Sequence, residues 1–188
     1  MRDLSLHIMD ITQNSLSAKA DKIDIKICAL SDKDLLEIEI KDNGVGMDED
    51  FLKEVKNPFK TTRTTRKVGL GISLFEASAK STSGKLSINS KKGVGTEVKA
   101  CFKISHIDRL PLGNVAETMT TLIMAQPQVE YKLVIDNKKE EFTFSSIDVK
   151  KAIGDVPITQ FEVIKWIGEY IDEGIKIIFG GVLDEVNG

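Results

Sequence analysis

The most informative stretch of this 188-residue sequence is Lys41–Met47, which reads KDNGVGM. It follows Leu35–Ile40, where apolar and acidic residues alternate as in a strand with one buried face. Asp42 therefore stands near the strand end, where its carboxylate can accept a hydrogen bond from an exocyclic amine such as that of adenine. Gly44 and Gly46 allow positive φ angles and a close approach of the backbone to a flat ligand. The alternative is a simple strand-end turn.

The residues before this stretch predict a helix followed by the first strand of a β-hairpin. Leu4–Ala20 carries apolar residues at near-helical spacing, and Lys22–Ile27 alternates polar and apolar residues. Asp10 and Asn14 are four residues apart and share one face of the helix. Asn14 offers a neutral oxygen that suits Mg²⁺. Asp10 can orient or deprotonate a water molecule, and His7 could position its carboxylate.

A second glycine-containing segment, Val68–Ser73 (VGLGIS), predicts a turn into a helix that runs to about Ser81. Such a helix start presents free backbone N–H groups and the positive end of the helix dipole, which suits phosphate. The preceding Phe59–Lys67 is basic and rich in threonine, and a loop of this kind can close over a triphosphate. A solvated basic loop that contacts an acidic partner is the alternative. The glycine spacing is neither that of a Walker A loop nor that of a Rossmann fingerprint.

The composition excludes several functional classes. With 26 Lys and Arg against 29 Asp and Glu, the net charge of -3 is wrong for a generally basic nucleic-acid-binding protein. The longest apolar stretch, Ile177–Leu183, is far shorter than the roughly 20 residues of a membrane span. Cys28 and Cys101 lack metal-site spacing and are interpreted as buried thiols in a reducing compartment. We therefore expect a cytoplasmic protein with no signal peptide that binds neither nucleic acid nor membrane.

A boundary near Asp108–Gly113 divides the chain into residues 1–106 and 107–188. Before it, the patterns predict a helix over Asp48–Lys56 and strands over Lys85–Asn89 and Thr96–Ile104. After it, they predict a helix capped by Asn114 that runs through Ala125, followed by a hairpin of Val129–Ile135 and Glu140–Phe144. A second helix is predicted to be capped by Ser146 and to end at Gly154. A third helix begins with a Thr159–Glu162 capping box and ends at Gly174, and a strand over Ile175–Leu183 follows it.

The order of these motifs resembles that of the superfamily of gyrase, heat-shock chaperone, histidine kinase and mismatch-repair ATPases (GHKL), which share the Bergerat-type ATP-binding fold. Asp10–Ala18 resembles the N box of this superfamily, Asp42–Met47 the G1 box and Val68–Ser73 the G2 box. Asn57–Thr62 is similar to the F box and lid of histidine kinases. Gly95–Val98 resembles the strand that closes their nucleotide pocket.

The resemblance spans about residues 1–106 and implies an α/β (α+β) two-layer sandwich. It implies a mixed, largely antiparallel sheet covered on one face by helices, with residues 107–188 as a small appended α+β region. It further implies ATP and Mg²⁺ as cofactors. Asp10 occupies the place of a glutamate general base and is one methylene shorter. The resemblance further implies that Asn14 is the Mg²⁺ ligand and Asp42 the adenine-specificity residue. The adenine pocket would contain Gly44, Gly46 and Met47, with Thr96 at the adenine end. The lid would contain Lys60, Thr61 and Thr62, and the phosphates would be bound by the backbone of Gly69, Leu70 and Gly71.

The resemblance leaves the reaction open. The first hypothesis is a regulatory protein kinase or ATPase, histidine-kinase-like or anti-sigma-factor-like, that acts on a partner protein. The alternatives are a non-catalytic nucleotide-sensing module and a mechanical ATPase that dimerises. Because no helical hairpin with a phosphoacceptor histidine precedes Leu4–Ala20, we expect a stand-alone member unless the chain is a piece of a longer kinase. Trp166 and Tyr170 either pack within the 107–188 region or anchor a partner or a second copy.

Overall fold

The computed structural model describes residues 1–55 and 70–180. The chain forms helices and strands in this order: α1 Leu4–Ser17, β1 Lys22–Leu30, a 3-10 turn Ser31–Lys33, β2 Leu35–Asp42, α2 Glu49–Val55, α3 Leu70–Ser81, β3 Lys85–Lys91, β4 Gly95–Lys103, α4 Val115–Ala125, β5 Glu130–Asp136, β6 Glu141–Ser145, α5 Ser146–Ile153 and α6 Phe161–Phe179. None of the helices within these ranges has the length and apolar character needed to cross a bilayer.

The strands form one six-stranded sheet in the order β3-β4-β2-β1-β5-β6. All neighbouring pairs are antiparallel except β1 and β5, which are parallel. The register places Ile25 of β1 opposite Ile40 of β2 on one side and Leu133 of β5 on the other. The predicted mixed, largely antiparallel sheet is therefore confirmed. Residues after 106 contribute β5 and β6 to this same sheet.

The core lies between one face of the sheet and the helices α1, α3, α4 and α6. Alternate strand residues point into it because side chains alternate between the two faces of a strand. Ile23, Ile25 and Ile27 of β1 are at most 1% exposed, and they share one buried cluster with Leu4 of α1 and Met119 of α4. The opposite face of the sheet is charged, and Lys26 of β1, Glu39 of β2 and Lys99 of β4 form one cross-strand row there. In the part of the chain that the structure describes, the helices that line the core form one layer on this face of the sheet.

The prediction for the end of the described chain is wrong. Helix α6 does not end at Gly174 but continues to Phe179, so residues 175–179 are helical rather than the start of a strand. Residues 181–183 of the predicted strand lie outside the described residues. Gly174 stays in the helix because its bare backbone packs on the Phe142 ring, which a Cβ at this position would approach to 2.5 Å. The helix ends instead at Gly180, which adopts a left-handed conformation with φ 43°.

Two of the predicted helix caps in this region are also wrong. Ser145, not Ser146, caps α5, and its hydroxyl accepts a hydrogen bond from the Asp148 N–H at 3.3 Å. Ser146 is fully buried and accepts instead from the Tyr131 N–H at 2.9 Å. Helix α6 begins after Gln160, one residue later than predicted, so no capping box with Thr159 forms. The Asn114 cap of α4 is confirmed, because its side chain accepts from the Glu117 N–H at 2.9 Å.

Candidate nucleotide-binding site

The carboxylate of Asp42 lies at the end of β2 and is only 8% exposed. Its Oδ2 accepts a hydrogen bond from the Ser15 hydroxyl at 2.6 Å. Its Oδ1 accepts from the backbone N–H of Gly44 at 2.9 Å and of Thr96 at 3.2 Å. One carboxylate thus joins α1, the loop after β2 and the start of β4. Because a carboxylate offers about four acceptor positions, these three donors leave one position of Oδ2 for another donor.

The loop after β2 is held closely against its neighbours. The Val45 N–H donates to the Ala18 carbonyl at 2.9 Å, and the Val45 carbonyl accepts from the Gly93 N–H at 2.7 Å. A Cβ on Gly44 would come within 2.7 Å of the Ala18 carbonyl oxygen. Gly46 has a φ of 64°, and a Cβ there would overlap the carbonyl of Lys91. Both glycines are therefore required by the packing of the loop, whereas a left-handed conformation requires glycine only at Gly46.

A serine of β3 connects the far end of this loop with β4. The Ser90 hydroxyl accepts from the Met47 N–H at 2.8 Å and donates to the Gly95 carbonyl at 3.0 Å. It also lies 2.8 Å from the Thr96 hydroxyl. Met47 and Thr96, which are distant in the sequence, are thus joined through a single side chain.

Helices α1 and α3 approach one another at the residues predicted to face the phosphates. A Cβ on Gly71, in the first turn of α3, would lie 3.3 Å from both the Cβ and the Oδ2 of Asp10. Asn14 follows Asp10 by one turn, is half-buried, and makes no side-chain hydrogen bond to another described residue. Leu70 begins α3 with its side chain 77% exposed. Asp10 therefore borders the start of α3, and Asn14 lies one turn further along α1 on the same helix face.

His7 packs between the same two helices. Its ring is nearly buried and stacks on Phe75 of α3, with 5.0 Å between the ring centres. Burial, together with the positive charge of the chain terminus, lowers the pKa of His7 below its usual value. Its Nδ1 has no hydrogen-bond partner in the described part of the chain. His7 therefore acts in the α1–α3 contact as an uncharged ring.

Four of the predicted site residues, Lys60, Thr61, Thr62 and Gly69, lie outside the described residues. Within residues 1–55 and 70–180, no group of three or more His, Cys, Asp or Glu side chains is arranged to hold a metal ion. Mg²⁺ is commonly held by one or two protein ligands together with substrate phosphates. The Asn14 carboxamide, half-buried and one helical turn from Asp10, fits a ligand of that kind.

Sequence reasoning gave no role to the two hydroxyls that organise the site, Ser15 and Ser90. A signal for both was present. Ser15 continues the apolar series Leu4, Ile8 and Ile11 on the buried face of α1, and it is 4% exposed. Ser90 likewise takes the inward position after Ile88 on β3. A polar residue in an otherwise apolar series must find a buried partner, and here the partners belong to the site.

Residues 2–106 match the profile of the family described as histidine kinase-, DNA gyrase B- and HSP90-like ATPase. The chain belongs to this family. The match covers more than half of the chain and includes α1, the loop after β2 and the start of β4, so the site described above lies within it. Membership in this ATPase family supports ATP binding.

Two relatives are similar to part of this chain. A putative sensor protein from Shewanella frigidimarina is 39% identical over 72 residues, or 38% of this chain and 11% of its own length. Sporulation kinase E from Bacillus subtilis is 36% identical over 90 residues, or 47% of this chain and 12% of its own length. The aligned segments thus span only about a tenth of these relatives.

A solved structure shares the fold of the chain. The N-terminal domain of a DNA repair protein superposes with a TM-score of 0.52 and 16% sequence identity, covering 77% of this chain and 53% of that one. The superposition covers 77% of this chain, whereas the family profile matches residues 2–106, so the shared fold extends beyond the matched residues.

Proposed function

We propose that the chain binds Mg-ATP and uses it as a regulatory protein kinase or ATPase that acts on a partner protein. The observation that carries the proposal is the open acceptor position on the buried Asp42 carboxylate. The exocyclic amine of adenine is a donor that fits this position. The fixed backbone around Gly44 leaves the base a rigid surface to lie against, since the loop is bonded on both sides.

The other end of the nucleotide is assigned to α1 and α3. The first turn of α3 offers backbone N–H groups, which favour phosphate oxygens. Asn14 would provide a protein oxygen for Mg²⁺, which when bound neutralises charge on the phosphates. Asp10, beside Gly71, would then hold and orient the group that attacks the terminal phosphate and accept its proton.

The names of two similar proteins favour a regulatory role with a protein partner. The aligned relatives include one named as a sporulation kinase and one as a sensor kinase, the latter from Brucella abortus. The proposal also includes a cytoplasmic location, which is supported by the free thiols of Cys28 and Cys101.

Calorimetric titration with ATP, ADP and a non-hydrolysable ATP analogue, with and without Mg²⁺, tests binding. We expect the wild-type protein to bind ATP in a Mg²⁺-dependent manner, and Asn14→Ala to lose most of that dependence. Gln13→Ala, an exposed neighbour on the same helix, is the matched control and should behave as wild type. Absence of binding by the wild-type protein would contradict the proposal.

The chemistry is tested separately with γ-labelled ATP. Phosphate release and transfer of label to protein are followed for wild type and Asp10→Asn. Loss of both activities in Asp10→Asn, with ATP affinity retained, supports the enzymatic function. If the wild-type protein binds ATP but neither releases phosphate nor labels any protein, the chain is instead a nucleotide-sensing module.

A further inference from the structure

Strand β6 is one of the two outermost strands of the sheet. Among the described residues it pairs with β5 alone, so its outer backbone N–H and C=O groups have no strand beside them. The other outer strand, β3, carries Lys85 and Lys91 at its ends and is followed by Lys92. Lysines on an edge strand oppose pairing with another strand. β6 (EFTFS) contains neither lysine nor proline and is therefore open to such pairing.

Helix α6 carries an exposed apolar stripe of Trp166, Tyr170 and Ile177, which are 49%, 39% and 64% exposed. At 3.6 residues per turn these three side chains lie on one side of the helix. Gly168 lies on the opposite side, where it faces Thr120 of α4. The stripe therefore points away from α4, toward the outer edge of the sheet.

The stripe and the strand edge form one continuous surface. The Phe142 ring of β6 contacts the ring of Tyr170, with 4.9 Å between the ring centres. Tyr170 in turn stacks on Trp166 at 5.1 Å with the two planes 9° apart. We call this surface the β6–α6 edge, defined by Glu141–Ser145 together with Trp166, Tyr170 and Ile177.

The size of the stripe shows what an occupant must contact. A buried aromatic side chain covers roughly 150–250 Å², so the exposed parts of Trp166 and Tyr170 offer only about 200 Å² together. A stable interface needs about 800 Å² on each partner. The stripe alone is too small, and an occupant must use the strand edge as well.

We propose that two copies of this chain associate through the β6–α6 edge, with their β6 strands antiparallel about a two-fold axis at Thr143. This register places Phe142 opposite Phe144 of the second copy and Glu141 opposite Ser145 of the second copy. Aromatic pairs stabilise cross-strand contacts, and like charges directly opposite each other destabilise them. β6 has aromatic residues at the pairing positions and no like-charged pair, so its sequence is complementary to itself.

The orientation of α6 agrees with the same axis. The Asn137 side chain donates to the Ile178 carbonyl at 2.8 Å, which places the end of α6 at the turn that precedes β6. The helix thus runs opposite to β6, and Tyr170 near its midpoint contacts Phe142, the residue before Thr143. A two-fold axis there brings Trp166 of one copy against Ile177 of the other. The aromatic half of each stripe then covers the aliphatic half of the other.

The test uses charges at the axis. Thr143 is exposed, so Thr143→Lys and Thr143→Glu keep the fold but place two like charges against each other. Light scattering after size exclusion should give wild-type protein twice the 20.8 kDa chain mass and each variant alone the single-chain mass. An equimolar mixture of the two variants should restore the dimer, because opposite charges then meet at the axis.

Two further variants complete the test. Ser87→Lys, on the exposed face of the other edge strand, is the control and should remain dimeric. Trp166→Ser should raise the dissociation constant on the order of tenfold or more, because the contact of its ring with Ile177 of the other copy is lost. A monomeric wild type, a Thr143→Lys dimer, or a mixture that stays monomeric would each overturn the proposal. ATP binding is measured separately, so the failure of one proposal does not affect the other.

Discussion

Asp42→Asn is the substitution that best separates the fold of the site from its proposed recognition of adenine. The asparagine keeps the shape of the side chain, and its Oδ1 can still accept from the N–H groups of Gly44 and Thr96. Its amide nitrogen replaces Oδ2, which accepts from the Ser15 hydroxyl at 2.6 Å in the native protein. Ser15 can rotate its hydroxyl and accept instead, so the network survives with one bond reversed.

The expected changes in stability and affinity differ for this reason. Replacing one charged hydrogen bond by a neutral one should lower the free energy of unfolding by about 1–2 kcal/mol. The affinity for ATP should fall by more than the stability does, because the remaining acceptor position becomes an N–H donor that faces the adenine amine. Loss of a charge-assisted bond of about 1.5–3 kcal/mol, with two donors opposed, corresponds to an affinity decrease of roughly 10–100-fold or more.

Calorimetry with ATP and with inosine triphosphate measures this directly. Inosine triphosphate carries a carbonyl oxygen in place of the amine, so the Asp42→Asn protein should prefer it to ATP, whereas the wild type should prefer ATP. Ser15→Ala is the matched control, because it removes a donor to Asp42 without changing the charge. It should lose about 1–3 kcal/mol of stability and less than about tenfold in affinity. A folded Asp42→Asn protein that binds ATP as tightly as wild type would refute the reasoning.

Three other predictions concern stability. Gly46→Ala should lower the free energy of unfolding in urea by at least about 2 kcal/mol, because the new Cβ would overlap the Lys91 carbonyl. Gly93→Ala is the control, because Gly93 has a similar φ of 76° but open space around it, and its free energy of unfolding should fall clearly less. Equal losses in the two variants would disprove the overlap. Burial raises the pKa of Asp136, but hydrogen bonds from the Lys138 N–H and from the Lys26 and Lys138 ammonium groups outweigh it and lower the pKa to about 2. This contribution to stability is present above the ordinary pKa of 3.8 and is lost as the pH falls toward 2, so wild type should lose about 2 kcal/mol more than Asp136→Asn in acid denaturation. Burial raises the pKa of Tyr131 to about 12, so the stability that its protonated hydroxyl contributes is present below pH 10 and is lost as the pH rises toward 12. Tyr131→Phe should therefore lose less stability than wild type over that interval. Parallel curves of unfolding free energy against pH for the two proteins would contradict the assignment.

The parts of the fold that depend on local pattern were predictable from sequence. The alternation in Lys22–Ile27 and Leu35–Ile40 gave the β1–β2 hairpin, whose register runs to Leu30 opposite Leu35. The helix face shared by Asp10 and Asn14 was also predicted correctly. These features follow from the spacing at which apolar residues recur along the chain, which can be read from a short segment of sequence alone.

Features that depend on distant contacts were not predictable. Gly174 normally signals a helix end, but here the ring of Phe142 occupies the space beside it and the helix continues. The parallel pairing of β1 with β5 joins strands whose sequences carry no sign of one another. The role of Ser15 likewise depends on Asp42, which lies 27 positions further along the chain.

That parallel pairing also determines when the protein can acquire its structure during synthesis. β1 ends at Leu30, and its neighbour β5 begins only at Glu130. Until β5 has left the ribosome, one edge of β1 has no partner and helix α4 is not yet packed against α1. Contacts between such distant segments slow folding and prolong the exposure of apolar surface to other chains. The region around the candidate nucleotide site can therefore complete its sheet only after β5 has been synthesised.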